Sequence, residues 1–200
     1  MADRALFTGR YLSEHLDDKR RKASDALSEI GLSELQKQPE DDLINKIAAL
    51  HTVAAPVLRN DGIEAYEPRD VPVAGIQFGE RVTVNHTEVE FKVPYDGDGR
   101  LFSLKPDTHR LKAPKGQVLS DCLILSVTHP TLDGAAIRKA FDAELDLIES
   151  FLANLTEQIA VFNQQLPGHV ATEIKERRER LLAQRQLADG LGFPVVKRGR

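Results

Sequence analysis

Apolar positions recur most regularly between Leu132 and Gly190. Phe141, Leu145, Ile148, Leu152, Leu155, Ile159, Phe162 and Leu166 stand alternately four and three residues apart. That spacing keeps one stripe on one side of a helix and is the seam of a coiled coil or helical hairpin. Thr131 or Asp133 can cap the helix at its start. Asn163 can act as a further cap and Pro167 is tolerable in a first turn, so the chain is expected to reverse at Asn163 to Gly168. A returning helix over about His169 to Asp189 would carry Val170, Ile174, Leu181 and Leu182 and stop near Gly190, ahead of an extended tail from Phe193 to Arg198.

The N-terminal third shows the same kind of period. Tyr11, Leu12, His15, Leu16, Ala23, Leu27 and Ile30 predict a helix from about Thr8 to Ile30, ended by Gly31. The six charges Asp17 to Lys22 within it read as a solvated face, since both signs are present one turn from partners. A second helix is expected from Pro39 or Glu40 to about His51, with Glu40, Asp41 and Asp42 where the helix dipole favours negative charge.

Between Ala54 and Phe78, Pro56, Pro68 and Pro72 break any long regular element, leaving one short edge strand around Ile63 to Tyr66. The period then switches to two. Thr87, Val89, Phe91 and Val93 alternate with Glu88, Glu90 and Lys92, as in an antiparallel strand with one face on a core. Arg81 to Val84 would pair with this strand or run into it across a bulge. Tyr95 to Gly99 reads as a turn, and a long strand is expected from Gln117 to about Thr128, where the unbroken run Leu123 to Leu125 implies burial on both sides or a bulge.

The pattern therefore predicts an α+β fold: long antiparallel helices, comprising a C-terminal helical hairpin and N-terminal helices, packed on a small antiparallel sheet. We expect a single domain over 1–200, with N-terminal helices at 1–53, the extended segment and sheet at 54–130, the hairpin at 131–190 and a tail at 191–200.

Composition narrows the setting. An apolar share of 41% suffices for a core. A net charge of −4 argues against a chain wholly devoted to nucleic acid. The single cysteine, Cys122, allows neither an intrachain disulfide nor a Cys-rich zinc site. With no signal-peptide pattern at the start and no apolar run near the roughly 20 residues of a membrane span, a cytoplasmic protein without membrane contact is expected.

Charge is uneven along the C-terminal third. Residues 133–157 hold six acids against two bases, a balance of −4, and residues 173–200 hold eight bases against four acids, a balance of +4. Two antiparallel helices of opposite charge explain this, with each exposed pair contributing about 0 to 1 kcal/mol. The alternative is a basic surface of Arg177, Arg178, Arg180, Arg185, Lys197 and Arg198 that meets nucleic acid or an acidic partner.

Candidate chemistry is sparse. Glu90-Phe91-Lys92 places a carboxylate and a lysine on one strand face, and with Glu88 it would suit a metal-dependent nuclease if Asp70 or Asp121 supplied a further carboxylate. Alternating charge on a solvent face yields the same tripeptide. The six histidines show no ligand spacing among themselves or with Cys122, so neither a metal nor a cofactor is expected. Cys122, inside a predicted strand, reads as a small buried apolar residue rather than a nucleophile.

Val89 to Asp98, Leu101-Phe102, Lys105-Pro106, Pro114 to Gly116, Leu123 to Ser126, Phe162-Asn163, Arg177 to Leu181 and Leu191 to Pro194 ahead of Lys197-Arg198 resemble the N-terminal region of a group of bacterial proteins. In longer members that region precedes a nuclease-like domain of the PD-(D/E)XK class, of the kind found in antiphage defence. The likeness covers roughly residues 75 to 198. It implies a non-catalytic accessory module that senses, oligomerises, or regulates and positions a nuclease-type effector. The expected partners are a second copy, met through the helices, or an effector protein, with nucleic acid as a further candidate.

Overall fold

The structure is a computed structural model and describes residues 4–77, 80–108 and 112–191. It has the expected α+β make-up and divides into two compact units, Met1–Glu14 with Ala54–Ile159, and His15–Val53 with Ala160–Arg200.

The first unit is built on an antiparallel sheet. Its strands are β1 (Arg4–Ala5), β2 (Val57–Leu58), β3 (Glu64–Ala65), β4 (Arg69–Gln77), β5 (Glu80–Asp96), β6 (Lys115–Val118) and β7 (Cys122–His129). The path runs β1-β6-β7-β5-β2, with β3 and β4 also on β5. One long strand thus carries β7 on one edge and β4, β3 and β2 in succession on the other. Thr87, Val89, Phe91, Val93 and Tyr95 of β5 point to the core and are buried, as the alternation requires. The run Leu123 to Leu125 is buried on both faces.

The helix α4 (Gly134–Gly190) covers the core side of this sheet with its first part, where Ile137, Phe141, Leu145, Ile148, Leu152, Leu155 and Ile159 are buried. The Phe91 ring stacks on Phe141 at 4.1 Å, and Phe7 on Phe151 at 5.0 Å.

The second unit packs α1 (Leu12–Ser28, from His15 onward), α2 (Leu32–Lys37) and α3 (Glu40–His51) around the later part of α4. Leu16, Ala23, Leu27, Leu35, Leu43 and Ile47 are buried with Phe162, Leu166, Val170 and Ile174.

Three expectations need correction. The first is the helical hairpin: α4 is one helix of 57 residues with Pro167 inside it. The buried stripe continues through the proline as Phe162, Leu166, Val170 and Ile174, each one turn from the last. A proline inside a helix costs about 3 kcal/mol. Burying the last three of these side chains contributes about 1.5 to 3 kcal/mol each, so the stripe outweighs the break. Asn163 does not cap a reversal, because its side chain accepts from the Val53 N–H at 3.1 Å and donates to the Val53 carbonyl at 2.8 Å. The acidic and basic segments accordingly lie along one helix and not on two facing ones.

The second correction concerns residues 54–78, which hold the nine-residue strand β4 despite Pro72. Of the named strands it pairs only with β5, and an edge position tolerates the missing N–H. The third is the long strand over Gln117 to Thr128. It is a hairpin, β6 and β7, in which the Leu119 N–H donates to the Cys122 carbonyl at 2.9 Å. The tail from Phe193 to Arg198 lies outside the described residues.

Candidate functional site

Glu88, Glu90 and Lys92 share the outer face of β5, as their spacing of two requires. Opposite them stand Arg69 of β4, in register with Glu88, and Glu64 of β3, in register with Lys92. Arg69 donates through Nε to Glu88 at 2.7 Å and through Nη2 to Glu90 at 2.6 Å, while Lys92 donates to Glu64 at 3.0 Å. The hydrogen bond and charge of Glu88 raise the Arg69 pKa, and those of Glu64 raise that of Lys92. Arg69 thus already occupies the place between the two carboxylates that a cation would take. Asp70 is in register with the core-facing Thr87, hence on the opposite face. Asp121 sits in the β6–β7 turn, where its carbonyl accepts from the Tyr95 N–H. The candidate nuclease residues form a surface ion-pair network, and the aspartates named for them do not join it.

The basic residues divide similarly. Arg177 donates through Nε to the Ile30 carbonyl at 2.7 Å and through Nη2 to that of Ser28. It therefore satisfies the Ser28 carbonyl, which the end of α1 leaves without an intrahelical donor, and the Ile30 carbonyl just past it. Arg178 meets Glu40 at 2.6 Å, adding a donor to the acidic first turn of α3. Arg180 and Arg185 are exposed, and Lys197 and Arg198 lie outside the described residues. Two of the four described members of the basic surface are thus engaged inside the second unit.

Among the described residues, no group of three His, Cys, Asp or Glu side chains is placed to hold a metal. No helix there is long and apolar enough to cross a membrane. Cys122 is buried, and burial followed by the neighbouring Asp121 pushes its thiol pKa up. That is opposite to what a nucleophile needs.

The most distinctive surface lies where the sequence pattern predicts none. Beyond Thr87, β5 leaves the core and pairs with β4 as a two-stranded ribbon, from Val71 opposite His86 to Gln77 opposite Glu80. Register puts Val71, Val73, Gly75, Val82, Val84 and His86 on one face, with Glu80 on that same face at the end of the pairing, and Pro72, Ala74, Ile76, Arg81, Thr83 and Asn85 on the other. Ile76 is 79% exposed and Val84 47%. From Val71 to Gln77 and from Val82 to Asn85 the ribbon has no Asp, Glu, Lys or Arg. The sequence signal for it is that pair of uncharged, valine-bearing runs on either side of Gly79. Pro72 obscures it.

No family model, curated protein or solved structure matches the chain.

Proposed function

We propose that this protein is a non-catalytic interaction module that self-associates through the valine face of the β4–β5 ribbon. The observation that carries the reading is a two-stranded ribbon, apolar along the middle of one face and without Asp, Glu, Lys or Arg from Val71 to Gln77 and from Val82 to Asn85. Two-stranded ribbons are marginal in water, and a third layer is what normally stabilises them. In a two-fold contact each patch meets its own copy, so every charge on it would face its like. The middle of the face, Val71, Val73, Val82 and Val84, meets itself with no such repulsion, and Glu80, the charge on this face, stands at the end of the pairing.

The size of the patch sets the strength. Seven residue pairs at roughly 3.3 Å per residue span about 23 Å, and two strands are about 10 Å wide, giving about 230 Å² per face. Stable interfaces bury about 800 Å² per partner. Association through the ribbon alone is therefore weak and concentration-dependent.

The resemblance over residues 75 to 198 adds the setting, an accessory role that positions a nuclease-type effector in bacterial defence. The metal-dependent nuclease reading has less support, because Arg69 and Glu64 take up Glu88, Glu90 and Lys92. Nucleic-acid binding also has less, because Arg177 and Arg178 are engaged internally.

Sedimentation equilibrium from about 1 μM to 1 mM tests the proposal. The wild type should pass reversibly from monomer towards dimer, and Val84→Glu should stay monomeric throughout with unchanged helix content. A wild type that is monomeric at every concentration would remove self-association, and equal dimerisation of Val84→Glu would move the interface off the ribbon.

A further inference from the structure

The first unit contains a half-open pocket of about 950 Å³ between β1, β6, the β6–β7 turn and the 3-10 turn Gly99–Ser103. No ribbon residue lines it, so a ligand there is independent of the proposed self-association. Its floor is apolar and fixed. Tyr95 and Phe102 meet edge to face at 4.9 Å, and the Tyr95 hydroxyl donates to the Leu119 carbonyl at 2.6 Å. Gly99 helps keep the space open, since a Cβ there would collide with that hydroxyl. One wall is Val118 and Leu119, 37% and 41% exposed.

The charges at the rim are unequal. Arg100 is neutralised by Asp98, with Nε at 2.9 Å and 3.0 Å from the two carboxylate oxygens and Nη2 at 2.7 Å from one of them. Arg4, at the start of β1, has no side-chain partner among the described residues and is exposed. The lining therefore presents an uncovered apolar wall and one guanidinium without a side-chain partner among the described residues. A small polar ion would leave Val118 and Leu119 wet, and a neutral hydrocarbon would leave Arg4 unmatched. A doubly charged phosphate exceeds the charge that Arg4 supplies.

We infer that this pocket binds a small amphipathic monocarboxylate, its carboxylate on Arg4 and its apolar body along Val118 and Leu119. A planar guanidinium fork suits the two oxygens of a carboxylate. The volume lies within the range of small-molecule pockets, which combine an apolar lining with a few polar anchors.

The test uses the full chain and three probes of equal chain length, octanoate, 1-octanol and octylamine, titrated while backbone amide resonances are followed by NMR. Octanoate should shift the Val118 and Leu119 amides saturably, about tenfold more tightly than octanol, the gain expected of one partly exposed charged contact. Octylamine should bind more weakly than octanol. Arg4→Gln should reduce octanoate to the affinity of octanol while leaving octanol itself unchanged, and Leu119→Asp should weaken both. Absence of saturable shifts with octanoate would overturn the inference. So would an octanoate-to-octanol ratio that Arg4→Gln leaves intact, since apolar adsorption alone would then account for binding.

Discussion

The two halves of β5 obey the same backbone rules and meet opposite fates. From Thr87 to Tyr95 the strand has β7 on one edge, β3 on the other for part of its length, and α4 over its core face, so every second side chain is buried. From Glu80 to His86 it has only β4, and its apolar residues stay partly exposed. The first half puts charge on its outer face, and the ion pairs of Arg69, Glu88, Glu90, Lys92 and Glu64 keep that face wet. The second half has apolar or uncharged residues along most of both faces. Patterning that buries one face tells a strand which way to lie, whereas patterning that keeps charge to one end of each face leaves an apolar surface that another chain can cover.

Substitutions should separate the halves sharply. Phe91→Ala removes a ring stacked on Phe141 and should destabilise the fold by about 3 to 5 kcal/mol in a denaturant titration; a loss below about 1 kcal/mol would mean the covered half is not the core. Pro167→Ala tests whether the covered stripe of α4 runs straight through. It should gain about 1 to 3 kcal/mol by restoring a helical N–H, whereas a chain that reversed at that proline would gain nothing. Arg177→Ala leaves the Ile30 and Ser28 carbonyls without their donor and should cost about 1 to 2 kcal/mol, with no salt-dependent change in any nucleic-acid affinity. In the uncovered half, Val84→Ala should change stability by less than about 0.5 kcal/mol while still weakening association.

The smallest effect concerns pH in the second unit. Burial, followed by Lys19 and Lys22, lowers the pKa of His51. The folded state thus favours the neutral ring, so this contribution is present above the unfolded value of about 6.5. It is lost as pH falls from there through the folded pKa. Stability measured between pH 7.5 and 5 should show a shallow decline that His51→Gln flattens, and an unaltered slope in that variant would assign the decline to other groups.

Much of the covered architecture is legible in the chain. The alternation from Thr87 to Val93 locates the core strand, and every member of the stripe from Phe141 to Leu166 is buried, although Ile137 and Phe151 of α4 are buried outside it. A reversal at Pro167 follows only when cap chemistry is weighed locally, because Val170 and Ile174 continue the spacing of Phe162 and Leu166 past the proline. The edge position of β4, which makes Pro72 harmless, depends on the partner strand and cannot be seen in its own residues. The same limit hides the fate of the charged residues, since Glu90 and Lys92 look alike whether Arg69 and Glu64 face them or a substrate does. The pocket gathers Arg4, Phe102 and Leu119 from three separate segments, so no spacing announces it.

Self-association through the valine face of the ribbon is addressed most directly by a charge exchange at one position. Val84→Glu and Val84→Lys each place like charges across a two-fold contact, so each should be monomeric alone at a concentration where the wild type associates. Mixed one to one, they place opposite charges there and should recover the dimer mass in sedimentation equilibrium. A mixture that stays as monomeric as its components, or single variants that associate as the wild type does, would contradict self-association through this face.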